Sequence, residues 1–137
     1  MMIDTAWIID DDDVYRYGFS KFVANKVLCK NLVDFGNTTD AINTLTNYNG
    51  SLALPDIIFI SVDIEDGNCW TFLKEFETLK AHQCFKKIAI FLLTSSINYL
   101  DIERCQNYSD ITEYMIKPIN LKEIVYAFQE SFLSKSA

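Results

Sequence analysis

Short apolar runs alternate with longer amphipathic stretches five times along this chain, and this alternation constrains its fold more than any other feature. The runs are rich in β-branched and aromatic residues, as expected of strands. Three of them are continuously apolar rather than alternating, which indicates strands covered on both faces. The predicted strands are residues 6–9, part of 27–35, 57–60, 88–93 and 111–116.

Apolar residues at helical spacing predict a helix after each of these strands. The second helix is predicted to begin at a cap among Thr38, Thr39 and Asp40, and the fifth at a cap on Asn120. The buried face of the fifth helix is predicted to consist of Leu121, Ile124, Val125, Phe128 and Phe132. The predicted helices are residues 14–26, about 38–47 with an end at 48–50, 70–79, 98–106 and a last one from 121.

This βα order, repeated five times, predicts an α/β protein with an open, doubly wound sheet of five parallel strands. Parallel strands need crossover helices, which are nearly always right-handed and therefore cover both faces of the sheet. Five strands are too few for the eight-stranded barrel.

The composition excludes several classes of function. A chain of 137 residues favours one domain. The net charge of −7, without a basic stripe, argues against nucleic-acid binding. No apolar run approaches the ~18 residues of a membrane span, and no secretion signal is present. Four widely spaced cysteines give neither a zinc motif nor a disulfide framework, so we expect a cytoplasmic protein with reduced thiols.

Acidic, hydroxyl and lysine side chains follow the strands at the edge where ligands bind in such sheets. Four aspartates (10–13) follow the first strand, Ser61 and Asp63 the third, Thr94 the fourth and Lys117 the fifth. Consecutive aspartates repel one another unless a cation offsets their charge, and Mg²⁺ favours carboxylate oxygens. Asp12 and Asp13 also suit the role of helix caps, and that interpretation stays open.

These motifs, taken in order, resemble the receiver domain of two-component response regulators over nearly the whole chain. Ile8-Ile9-Asp10-Asp11-Asp12 resembles the acidic Mg²⁺ pocket, Phe91-Leu92-Leu93-Thr94-Ser95 the fourth strand, and Tyr114-Met115-Ile116-Lys117-Pro118 the fifth. The resemblance implies a flavodoxin-like sheet with strand order 2-1-3-4-5. It also implies that Thr94 and Lys117 contact a phosphoryl group, that Tyr114 is the switch aromatic, and that the Lys117–Pro118 bond is cis.

The resemblance fails at the phosphoacceptor. Receivers place an aspartate six residues after a Pro-Asp pair and nine before an aromatic, and both Pro55-Asp56 and Trp70 lead to position 61, which is Ser61. A serine hydroxyl is neutral and needs a base. The loss of a carboxylate leaves a weakened Mg²⁺ site of Asp10, Asp11 and the region of Asp63. Asp63 is a candidate substitute, as metal ligand or as phosphoacceptor, if it shares a strand face with Ser61.

The sequence therefore predicts a stand-alone pseudo-receiver over residues 1–137, without an output domain, because about five residues are expected after the last helix. The resemblance places it in bacterial phosphorelay signalling, as a module acting through protein contacts and not as an enzyme. Its expected partners are a histidine kinase, a phosphotransfer protein or a downstream target. A homodimer through the face of the last strand stays open, and so does phosphorylation on Asp63.

One enzyme class offers an alternative. The run from Ile8 to Val14 also fits the start of haloacid-dehalogenase-type phosphatases, with Asp10 as nucleophile and Asp12 as general acid. Such enzymes need an acidic pair after the lysine motif. After Lys117 the chain has only Glu123 and Glu130, both on the predicted last helix.

Overall fold

The computed structural model describes residues 2–48, 54–64, 68–83, 85–96 and 98–136. Strands and helices alternate through these ranges, as the sequence predicts. They are β1 (Ile3–Ile9), α1 (Asp13–Lys26), β2 (Cys29–Phe35), α2 (Thr38–Thr46), β3 (Ile57–Ser61), α3 (Cys69–Gln83), β4 (Ala89–Thr94), α4 (Tyr99–Cys105), β5 (Ile111–Ile116) and α5 (Leu121–Ser136).

The strands form one parallel sheet in the order β2-β1-β3-β4-β5, which confirms the predicted fold and strand order. Every residue of β3 is buried, because this strand lies in the middle of the sheet and is covered on both faces. The register pairs Ser61 with Leu93 and Thr94 with Ile116. The carboxyl ends of β3, β4 and β5 therefore meet at one edge of the sheet.

Two apolar clusters cover the two faces of the sheet. Helices α1 and α5 supply one of them, in which Phe59 lies 4.9 Å from Phe19 and 5.5 Å from Phe128 between ring centroids. Helices α2 and α3 supply the other, with Leu45, Phe72 and further residues. This arrangement follows from the apolar periodicity of the helices, since each helix buries the stripe that faces the sheet.

Some predicted helix ends are wrong for identifiable reasons. The cap of α2 is Asn37, one residue before the predicted candidates, because its extended backbone lets Oδ1 accept a bond from Asp40 N at 2.8 Å. The helix α3 begins at Cys69, where Asn68 Oδ1 accepts from Trp70 N at 2.7 Å. The predicted end of the second helix includes residues 49 and 50, which lie outside the described ranges.

The last helix also differs from the prediction. Leu121 is 57% exposed rather than buried, because it begins α5 and lines an open groove beside α1. The helix continues to Ser136, so the expected short tail after it is wrong. No glycine or proline follows Asn120, and nothing in the sequence therefore ends the helix sooner.

Helix α1 ends in an unusual conformation. Val27 adopts φ 52° and ψ 51°, the left-handed region that glycine normally occupies at this position. The conformation lets Val27 N and Leu28 N donate to the carbonyls of Ala24 and Val23, at 3.2 Å each. The Val27 residue is 59% exposed, so its side chain gains little from packing.

No helix within the described residues has both the length and the apolar character needed to cross a membrane. Cys29, Cys69 and Cys105 are free thiols, as predicted, and Cys84 lies outside the described residues.

Candidate functional site

An ion pair between the residues that directly follow β1 and β5 forms the centre of the site. Lys117 Nζ lies 2.5 Å from Asp10 Oδ2, and the side chains of the pair are 15% and 1% exposed. The other carboxylate oxygen of Asp10 accepts a hydrogen bond from Asp12 N at 3.0 Å. A carboxylate this deeply buried needs such partners, since its charge is otherwise far from water.

Lys117 is held in place by the end of β4 and by an aromatic ring. Its backbone N donates to Thr94 O at 2.6 Å, and the Lys117–Pro118 bond is cis, as the resemblance implies. The Lys117 ammonium lies 4.5 Å from the ring centroid of Tyr15, within the range of a cation–π interaction. Burial raises the pKa of Tyr15 to about 12, and the negative charges of Asp10 and Glu123 add to the effect.

Ser61 lies inside the site, fully buried at the end of β3. Lys117 Nζ and Asp63 N donate to its Oγ, at 3.4 and 3.2 Å. The structure thus brings Ser61, Asp10 and Lys117 together as the sequence predicts. The partners of the hydroxyl among the described residues are donors rather than bases, so they do not activate it as a nucleophile.

The Asp63 carboxylate contacts the end of β4 and the residue that follows it. Its Oδ2 accepts from Ser95 N at 2.8 Å and from Ser95 Oγ at 2.9 Å, and its Oδ1 lies 3.5 Å from Thr94 Oγ1. The strand β3 ends at Ser61, so Asp63 lies in the following turn. The rule that residues two apart share a strand face does not extend to it.

The two predicted switch residues are close to each other. Thr94 is buried, and its hydroxyl donates to Ser96 O at 2.8 Å. Tyr114 packs against the cluster under α2 and α3, and its buried hydroxyl makes no hydrogen bond of good geometry within the described residues. Burial raises the pKa of Tyr114, and the nearby Thr94 side chain offsets part of that rise.

The remaining aspartates of the first strand end have separate roles. Asp12 is the cap of α1, and its Oδ1 accepts from Val14 N and Tyr15 N at 3.0 Å each. Asp13 forms an ion pair with Arg16, and Asp11 is exposed. The capping interpretation of Asp12 is therefore confirmed. A phosphatase would need Asp12 as a free general acid and Asp10 as a free nucleophile, and both carboxylates are engaged otherwise.

The carboxylates of Asp10 and Asp63 both have partners within the protein. Within the described ranges, no three His, Cys, Asp or Glu side chains are grouped closely enough to hold a metal ion. Lys117 and Asp12 N occupy the two oxygens of Asp10, and Ser95 binds Asp63. The weakened Mg²⁺ site of Asp10, Asp11 and Asp63 stays a prediction from the sequence.

Sequence reasoning missed two residues of the site. Ser95 binds the Asp63 carboxylate through both its backbone N and its hydroxyl. Tyr15 covers the Lys117 ammonium. A second hydroxyl residue directly after Thr94, and an aromatic at the start of α1 facing the strand ends, were the signals available for them.

The fold is that of response regulator receiver domains. A two-component response regulator from Cytophaga hutchinsonii superposes with a TM-score of 0.84 at 20% identity, covering 97% of this chain and 99% of that one. The phosphorylated cyanobacterial phytochrome response regulator RcpA gives 0.75 at 19% identity, covering 98% and 96%. A response regulator receiver protein from Dyadobacter fermentans gives 0.73 at 20% identity, covering 96% and 98%. No protein-family model and no curated protein sequence matches the chain.

Proposed function

We propose that this chain is a receiver domain of bacterial two-component signalling that works without phosphorylation at the usual position. The observation that carries the proposal is the buried Asp10–Lys117 pair beside Ser61, with Thr94 at the neighbouring strand end. The acidic and cationic residues of a receiver pocket are thus present around a neutral alcohol. The domain is a signalling module rather than an enzyme.

The substitution changes the chemistry of phosphoryl transfer. A carboxylate is already an anion, so it attacks a phosphohistidine directly and gives a labile acyl phosphate. A serine hydroxyl must lose a proton to a base and gives a much more stable ester. Ser61 receives hydrogen bonds from Lys117 and Asp63 N, which lower its tendency to act as a nucleophile. A reversible phosphoryl signal at this position is therefore disfavoured.

The domain then transmits its signal through contacts with a protein partner, which is a histidine kinase, a phosphotransfer protein or a downstream target. This signalling takes place in the cytoplasm. A conformational equilibrium shifts when a partner binds one state more tightly than the other, and no covalent change is needed. The face around β5 exposes Ile116 and Tyr126, at 43% and 45%. This exposure is consistent with a contact there, including a homodimer.

A phosphorylation assay tests the proposal. The protein is incubated with Mg²⁺ and acetyl phosphate, and intact mass is measured before and after hydroxylamine, which cleaves acyl phosphates. We expect no labile adduct in the wild type, a gain in Ser61→Asp, and none in Ser61→Asn, which matches the aspartate in size without its charge.

Two results would contradict this expectation. A labile adduct in the wild type that disappears in Asp63→Asn would identify Asp63 as the phosphoacceptor. Failure of Ser61→Asp to gain an adduct, in a folded variant, would show that the pocket is not a receiver pocket.

A further inference from the structure

The end of β4 presents donors that already hold an anion from the chain itself. Ser95 N and Ser95 Oγ both donate to Oδ2 of Asp63, at 2.8 and 2.9 Å. Both distances lie within the ordinary range of hydrogen bonds. A backbone N–H and a hydroxyl that converge on one oxygen form a small site for an oxyanion.

We propose that the Asp63 carboxylate is a built-in ligand of this oxyanion site, and that it holds the end of β4 in one conformation without a phosphoryl group. The proposal rests on the proposed function for its biological meaning. Its structural content, occupancy of the Ser95 donors by Asp63, is independent of any phosphorylation.

The position of Asp63 explains how its hydrogen bonds to Ser95 can influence the predicted switch residues, Thr94 and Tyr114. The carboxylate joins the turn after β3 to the turn after β4, and its Oδ1 lies 3.5 Å from Thr94 Oγ1. Thr94 in turn binds Lys117 N through its carbonyl and packs close to Tyr114. A fixed β4 end therefore sets the surroundings of Tyr114 on β5 and of Lys117 directly after it.

The site is also open to ions from solution. Asp63 and Ser95 are exposed residues, whereas Thr94 beside them is buried. If the Asp63 side chain is truncated, a small carboxylate or phosphate ion in solution can reach the vacated donors. An added ion is therefore expected to replace the Asp63 carboxylate if the Ser95 donors form an oxyanion site. If the contact is an incidental surface hydrogen bond, no added ion would replace it.

The test uses the amide resonance of Ser95 in the ¹⁵N-labelled full chain. We expect Asp63→Ala to shift this resonance and to speed its hydrogen exchange about tenfold. Tenfold corresponds to ~1.4 kcal/mol, the low end for a hydrogen bond to a charged group. Sodium acetate at 100 mM moves the resonance back toward its wild-type position, with a smaller return at Tyr114 and Ile116. Sodium chloride at equal ionic strength does not.

Two further variants keep the outcome decisive. Asp63→Asn retains one acceptor oxygen and is expected to give an intermediate shift. Asp4→Ala removes an exposed aspartate that pairs with Lys30, and it is expected to leave Ser95 unchanged with or without acetate. An unshifted Ser95 amide in Asp63→Ala, or a shift that acetate does not reverse, overturns the proposal. Neither result bears on the acetyl phosphate assay, so the two proposals fail separately.

Discussion

The ammonium group of Lys117 lies 2.5 Å from Asp10 Oδ2 and joins positions 107 residues apart in the sequence. Because Asp10 is 1% exposed, removal of its partner leaves an unpaired charge in the interior. We expect Lys117→Met to lower the free energy of unfolding by about 3–5 kcal/mol, as is typical of broken buried pairs. Urea unfolding at pH 7 measures the change.

The matched control is Lys30→Met. Lys30 pairs with Asp4 at 3.2 Å, but both side chains are more than 60% exposed, at 61% and 62%. Exposed pairs contribute about 0–1 kcal/mol, so this variant should be close to wild type. Equal losses in the two variants would show that burial of Asp10 does not set the strength of its pairing.

Val27→Gly is expected to stabilise the protein by about 1 kcal/mol. The valine has φ 52°, a conformation that costs a residue with a side chain roughly 1–2 kcal/mol and glycine almost nothing. Thermal unfolding at pH 7 checks the change. The same substitution at Val14, in the first turn of α1 and 81% exposed, should destabilise by up to about 1 kcal/mol. A loss at position 27 would contradict the strain argument.

Ionisation of Tyr15 is expected to lower the free energy of unfolding at alkaline pH. Its pKa is about 12 in the folded chain against an ordinary 10.0, because the side chain is buried near Asp10 and Glu123. Above pH 10 the unfolded state therefore binds fewer protons than the folded one, and stability falls as the pH rises from 10 through 12. Tyr15→Phe should flatten this part of the curve of unfolding free energy against pH.

The control for that measurement is Tyr17→Phe, which removes a hydroxyl from a ring that is 66% exposed on the same helix. Its curve should follow the wild type. If both variants or neither variant flatten the curve, the alkaline loss of stability has another origin.

Cys69 should be less reactive than Cys29. Burial raises its pKa to about 12, with the charge of Asp101 adding, whereas burial raises the pKa of Cys29 to about 11. The thiolate fraction changes tenfold per pKa unit, so iodoacetamide should modify Cys29 about tenfold faster or more at pH 8. Peptide mass mapping gives the rates, and in 8 M urea the difference should vanish.

The fold was predictable because its pattern is repeated along the chain. Each strand is a short apolar run, and each crossover helix has its own apolar stripe, so errors at single helix ends such as Asn37 did not alter the topology. Leu121 was misplaced because helical spacing identifies an apolar face without showing where the covering sheet ends.

The position of a site residue was predictable where that residue directly follows a strand. Asp10, Ser61 and Lys117 follow three strands directly and meet as predicted. The direction of Asp63 was not predictable, because it depends on β3 ending at Ser61 and on the donors of Ser95, which approach from a distant segment. The residues next to Asp63 in the sequence therefore do not indicate that Ser95 binds its carboxylate.

The ion pair between Asp10 and Lys117 also has a consequence for folding during synthesis at the ribosome. A nascent chain that ends before β5 already carries β1 with both of its neighbours in the sheet, β2 and β3. Folded at that stage, it would lack the counterion of the Asp10 carboxylate, and an unpaired charge beside the core is costly. We therefore expect the growing polypeptide to stay loosely organised until Lys117 has left the exit tunnel, and then to consolidate in a single late step.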